Sequence, residues 1–248
     1  MIEKFLDRYE LKARIAPGVI LVLPLLVDTF YLAPMLSSWP IFAASGICSL
    51  ALVYGMSHVV REHGKAIEQN LWVQWGGPPS TRFMRHRDST FGTDLKLSIQ
   101  HALVNRFSVR FPTSDEETKY PDQADRTIVD AFRQVRQYLR QHDPDGLWFK
   151  HDIEYGYCRN LLGCRLLWTA IALGATVFAV VYGAKAGAGL LNLASAMGGL
   201  SLFCAVYLVW LILPGATKRA AEAYAESAWM AFLGGAEEKK RGREPDQA

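Results

Sequence analysis

Residues 166–217 read LLWTAIALGATVFAVVYGA, then Lys185, then AGAGLLNLASAMGGLSLFCAVYLVWLILPGAT, and Lys185 is the only formal charge among them. A helix needs about 20 mostly apolar residues to cross the hydrocarbon layer of a bilayer. Both halves reach that length. Residues 166–183 and 190–213 therefore read as two spans joined by the Gly/Ala-rich link 184–189. The pattern recurs nearer the start, where Asp28 is the only charge between Arg14 and Arg61. That run is too long for one crossing. It divides into spans at 17–36 and 41–57, turned by Ser37-Ser38-Trp39-Pro40, with Tyr31 and Trp39 suited to a membrane interface. The competing reading, hairpins buried in a soluble core, calls for shorter amphipathic segments than these.

The composition averages two unlike populations, since 50% of the residues are apolar and yet 21% are charged. The charge lies outside the spans. Four Lys/Arg fall in residues 1–14, sixteen in 58–165 and six in 216–248, against none at the first hairpin tip and one, Lys185, at the second. Excess Lys/Arg stays on the cytoplasmic side, which puts both termini and the middle segment inside. The expected organisation is an all-α, four-span membrane protein. It comprises a cytoplasmic amphipathic helix at 1–14 (Ile2, Phe5, Leu6 and Tyr9 on one side) and a hairpin at 15–57. A cytoplasmic helical domain at 58–165, a second hairpin at 166–213 and a cytoplasmic helix with a charged tail at 214–248 follow. The mixed charge of residues 1–14 does not resemble a secretory signal. Cys48, Cys158, Cys164 and Cys204 form no CxxC pair and are expected to be unpaired structural thiols.

Within 58–165 the second span can continue as helix to Trp75, where Gly76-Gly77-Pro78-Pro79 stops it. Ser80 or Thr81 could cap a short helix after that. Residues 95–107 carry Leu95, Ile99, Leu103 and Phe107 at four-residue spacing, a helical pattern. Residues 111–120 are acidic and turn-like, with Ser114-x-x-Glu117 as a capping-box candidate. Residues 121–142 form the clearest soluble helix, with Ile128, Val129, Phe132, Val135, Tyr138 and Leu139 at helical spacing. Asp143-Pro144-Asp145-Gly146 ends it. Residues 147–162 lead as helix into the third span, with Gly163 marking the joint. Residues 218–233 should be helical up to Gly234-Gly235, and the tail beyond is expected to be disordered.

Two motifs could carry chemistry. In the first, the Gly/Pro loop at 76–79 precedes Arg82, Arg85, His86 and Arg87. Exposed backbone N–H groups and guanidinium forks suit phosphate or carboxylate. The second, 154–163, holds Tyr155 and Tyr157 with Arg159 and Asn160, which could complete such a site. The structural alternatives are an elbow meeting anionic headgroups or internal salt bridges to acids such as Asp88, Asp115 or Glu116. Asp28 lies roughly 20 Å into the first span at 1.5 Å rise per residue, flanked by Pro24 and Pro34. A carboxylate there reads as a pore or gating residue, or as one hydrogen-bonded to a neighbouring helix. His86-Arg87-Asp88 matches a kinase tripeptide without the Asn five residues on, where Thr93 stands. His142-Asp143 and His151-Asp152 have no metal-specific spacing. No catalytic residue, metal ligand or cofactor is assigned.

Taken together, the stretches from Leu71 to Pro78, Arg85-His86-Arg87-Asp88, Glu154-Tyr155-Gly156-Tyr157 and Arg159-Asn160-Leu161-Leu162-Gly163 resemble those of small bacterial membrane proteins. These are effectors of phage-defence loci, CBASS-like or Hailong-like, paired with nucleotidyltransferases. The resemblance spans about 40 residues. It implies a pore-forming effector of the bacterial inner membrane, acting by membrane disruption and gated by a nucleotide or oligonucleotide. The expectation is thus a homo-oligomeric channel with Asp28 near its path and with ligand contacts from Arg82, Arg85, His86, Arg87, Arg159 and Asn160. The alternatives are a membrane-anchored enzyme of phosphohydrolase type and a membrane scaffold for a cytoplasmic protein.

Overall fold

Long apolar runs with few breakers, together with one strongly amphipathic repeat, favour helix throughout. The computed structural model describes residues 8–32, 39–185 and 193–241, and no strand occurs among them. A helical start at residues 8–9 passes through a π-helical segment (Glu10–Ile15) into α1 (Ala16–Leu32). The elements α2 (Trp39–Gln74), α3 (Pro79–Arg82), α4 (Thr93–Phe107), α5 (Ser114–Lys119), α6 (Pro121–His142) and α7 (Leu147–Gly163) follow. Next come α8 (Arg165–Lys185) and α9 (Leu193–Val206), which continues through a second π-helical segment (Tyr207–Ile212) into α10 (Leu213–Arg241). The all-α expectation is met.

Two compact units divide the chain. The first comprises Met1–Gln69 and Ile153–Lys218, the second Asn70–Asp152 and Arg219–Ala248. Sequence reasoning places the borders near 58 and 165 and keeps 214–248 apart, whereas the contacts put most of α10 with the middle segment.

In the first unit α1 packs on α8 and α9, and α8 packs on α9. Among the described residues two helices are long and apolar enough to cross a membrane, one within Arg165–Tyr182 and the other within Ala196–Ala236. Only 22% of each apolar window is buried. The core helix of a soluble protein would be mostly covered, but here Leu166, Leu200, Phe203 and Leu211 are exposed. The expected first hairpin is only partly described: its tip at Ser37-Ser38 and Pro34 lie outside the described residues, as do residues 1–7, 186–189 and 242–248.

Glycine lets α2 and α7 cross at backbone distance. A Cβ at Gly64 would lie 2.1 Å from Asn160 Oδ1, and one at Gly163 would lie 2.6 Å from the His63 carbonyl oxygen. Gly163 thus ends α7 and also seats it on α2.

The second unit has its own core. Ile128, Phe132, Val135, Tyr138 and Leu139 of α6 are buried, as the spacing predicts, while Val129 is half-buried. Ile99 and Leu103 of α4, Trp148 of α7, and Trp229 and Phe232 of α10 complete it. Trp229 donates its indole N–H to the Ser80 carbonyl at 3.0 Å.

Three local readings are corrected. The capping box is Thr113 with Glu116, one residue before the expected pair: Glu116 N–H donates to Thr113 Oγ1, and Thr113 N–H donates to Glu116. Residues Ser114–Lys119 are accordingly helix rather than turn. Neither Ser80 nor Thr81 caps α3, which starts at Pro79 behind Pro78. The expected stop at Gly234-Gly235 does not occur, because α10 continues to Arg241.

Candidate anion-binding site

The Gly/Pro loop owes its shape to two glycines. Gly76 and Gly77 have φ of 77° and 120°, where a side chain would be strained. A Cβ on Gly77 would also lie 2.6 Å from Arg85 Nη2. The loop wraps the Arg85 guanidinium, which donates from Nη1 to the Gly76 carbonyl at 2.6 Å. Its Nε and Nη2 form a two-pronged pair with Asp125 on α6, at 2.8 and 2.7 Å. Arg82 is engaged as well: it donates to the Trp75 carbonyl at 3.0 Å and to Glu222 of α10 at 2.7 Å. A ligand would have to displace Asp125 or Glu222 to reach either guanidinium.

The next turn is held from both sides by buried charges. Glu117, 4% exposed, accepts the backbone N–H of His86 at 2.7 Å and that of Arg87 at 3.5 Å. Lys96, 6% exposed, donates to the carbonyls of Arg85 and Asp88. Burial lowers the Lys96 pKa from its ordinary value, and the charges of Asp88 and Glu117 work against that shift. Charge-assisted hydrogen bonds to backbone are among the stronger neutral-pH restraints available to a loop.

His86 and Arg87 emerge from this turn. The Arg87 side chain is 60% exposed, with its Nε 3.8 Å from Glu117. His86 is exposed and its Nε2–H donates to the Pro112 carbonyl at 2.9 Å. Both border a cleft of about 310 Å³ that is also lined by Lys96, Gln100, Gly92 and Thr93. The cleft thus includes the N-terminus of α4, where Gly92 supplies no side-chain cap. Free N–H groups and the helix dipole favour an anion there. Asp88 lines the cleft too, but its carboxylate accepts from Thr90 N–H at 2.8 Å and faces Arg82 Nε at 3.4 Å. Gln100 Nε2 is buried without a hydrogen-bond partner.

Arg159 and Asn160 belong to the first unit. Arg159 Nη1 meets Glu68 of α2 at 2.6 Å, and Tyr155 donates to the same oxygen at 2.8 Å. Asn160 accepts from Arg159 and donates to the Ala13 carbonyl at 2.7 Å. Burial opposes the Arg159 charge, but Glu68, Tyr9 and Tyr155 outweigh it and hold the guanidinium above its ordinary pKa. Arg82, Arg85, His86 and Arg87 thus lie together on one turn, while Arg159 and Asn160 form a separate, internally bonded network. Asp28 is 8% exposed on α1, and no hydrogen bond or ion pair reaches its carboxylate among the described residues.

Sequence reasoning missed Lys96, Glu117, Asp125 and Glu222, the residues that shape the loop. Only Glu117 left a trace, read as a cap. His151 is engaged by Ser227 Oγ at 3.0 Å and by the Ala223 carbonyl at 3.1 Å. Among the described residues no three His, Cys, Asp or Glu side chains converge as a metal-holding group. None of the four cysteines is in a disulfide among the described residues, and Cys158 and Cys164 are buried.

Among the described residues the fold and site define an all-helical protein with two helices long and apolar enough to cross a membrane and a charged helical unit. No family model, curated protein or solved structure matches the chain.

Proposed function

We propose that the chain is a homo-oligomeric, pore-forming membrane protein whose charged helical unit responds to an anionic signal of nucleotide or oligonucleotide type. It crosses the bacterial inner membrane four times with both termini cytoplasmic. The supporting observation is the bare apolar surface of the helices in Arg165–Tyr182 and Ala196–Ala236, only 22% buried in their apolar windows. Such a surface is stable against lipid or against further copies. Four spans leave little room for water between them, so a conducting path calls for several copies. The buried carboxylate of Asp28, without a partner among the described residues, is the ionisable group such a path would use. Service as a phage-defence effector beside a nucleotidyltransferase rests on the resemblance of the 71–88 and 154–163 stretches. A signal opens or closes the pore only by binding one arrangement more tightly than the other.

The test is ion flux from liposomes holding the purified chain, wild type against Asp28→Ala, with nucleotides and oligonucleotides added. Flux that responds to an added nucleotide and falls at least tenfold in Asp28→Ala is expected. Folded, inserted protein that stays silent under every addition rejects the pore.

A further inference from the structure

A further concavity in the second unit lies away from the arginine turn. It is an open groove of about 1090 Å³ between α4, α6 and the C-terminal part of α10. That is slightly above the usual range for small-molecule sites, about 300–1,000 Å³. Among the described residues no carboxylate lines it. The cationic and imidazole groups are Arg106, His101 and His142. Four amides, Asn105, Gln134, Gln137 and Gln141, face the same space.

Arg106 differs from Arg82, Arg85 and Arg159 in having no carboxylate partner among the described residues. Its guanidinium instead lies over the Tyr138 ring, 4.1 Å from the centroid. The same tyrosine stacks on His142 at 4.2 Å with the rings 25° apart. His142 Nδ1–H donates to the Tyr138 carbonyl at 2.9 Å, which fixes the imidazole plane. Arg106 and His142 thus both pack on the Tyr138 ring, and His142 is exposed. None of the four amides has a hydrogen-bond partner among the described residues.

We propose that this groove is a nucleotide-binding site. A free guanidinium and an imidazole suit a phosphate. Paired donor and acceptor atoms on Asn and Gln match the hydrogen-bonding edge of a base, and the exposed His142 face offers a surface on which a base can stack. Among the described residues that line the groove, no carboxylate is present to repel the phosphates. The inference deepens the proposed function by naming where its signal binds. It rests on that reading for the consequence for flux, though not for binding itself.

The test is titration calorimetry of the detergent-purified full chain with each of the four ribonucleoside triphosphates, adenosine and inorganic phosphate. At least one triphosphate should bind, with adenosine and phosphate each at least tenfold weaker. Arg106→Gln should weaken that binding at least tenfold and Gln141→Ala several-fold, while Lys150→Gln, at an exposed position that does not line the groove, should stay within twofold. Unchanged affinity in both groove variants overturns the site, as does wild type with native circular dichroism that binds none of the four triphosphates. Phosphate binding as tightly as the triphosphate overturns the nucleotide class. Groove-dependent binding without any effect on liposome flux would leave the site standing and remove the pore reading.

Discussion

Adjacent glutamates in α5 have opposite fates. Glu116 is only partly buried and closes the capping box with Thr113, while Glu117 is buried and holds the N–H groups of His86 and Arg87. The one-residue offset turns a helix-starting acid outward and its neighbour inward, because successive helical positions are about 100° apart. Hydrogen bonding from Thr113 N–H, helped by Arg110, lowers the Glu116 pKa from its ordinary 4.5. A carboxyl with a lowered folded pKa stabilises the fold fully above its ordinary value, and that contribution is lost as pH falls through the folded value. The difference in thermal midpoint between wild type and Glu116→Gln should therefore be largest near neutral pH and shrink in acid. A difference that does not change with pH would mean the carboxylate charge has no part in the cap.

The crossing of α2 over α7 shows how two elements depend on hydrogen atoms in place of side chains. Gly64 faces Asn160, and Gly163 faces the backbone of His63 and Gly64. The Glu68–Arg159 pair at 2.6 Å and the Asn160 bond to the Ala13 carbonyl lie in the same network. Overpacking by one methyl against a well-packed side chain costs typically 1–3 kcal/mol. A clash with backbone cannot be relieved by rotamer change, so Gly163→Ala should lower stability by about 3 kcal/mol and Gly64→Ala by about 2 kcal/mol. Thermal denaturation in detergent checks both, and an unshifted midpoint for Gly163→Ala would contradict the crossing. In α10, Gly234 and Gly235 each weaken the helix by about 1 kcal/mol relative to alanine, yet the helix runs on. Phe232 is fully buried two residues earlier, and a Cβ at Gly235 would lie 3.0 Å from the Tyr138 hydroxyl. Tertiary packing accounts for that glycine and for the helix that continues through it.

At the scale of the molecule, apolar surface and charge are separated. The first unit holds the uncovered faces around Leu200, Phe203 and Leu211, the second a conventional buried core around Ile128, Trp148 and Trp229. A chain with that much uncovered apolar helix should remain with the membrane fraction after alkaline carbonate washing and be released only by detergent. Release into the wash as folded monomer would count against membrane insertion. The placement of α10 matters equally at this scale. Most of it joins Asn70–Asp152 as part of one core, although about 70 residues separate the two segments in sequence.

Helices were legible where one residue's surroundings repeat along the chain. Charge-free runs marked apolar helices, the Ile128–Leu139 spacing marked α6, and Gly76-Gly77-Pro78-Pro79 marked the end of α2, because these signals are local and periodic. Among the candidate site residues, the sequence picked out the arginine turn but not its state. Whether Arg85 is free or bound depends on Asp125, forty residues away, and whether Arg82 is free depends on Glu222, 140 residues away. The groove beside Arg106 could not be seen at all, since its walls come from three helices far apart in the sequence. Local pattern alone determined the helices and the apolar runs. Only the tertiary structure decided which charges are paired, because pairing is set by distance in space, which a one-dimensional pattern does not contain.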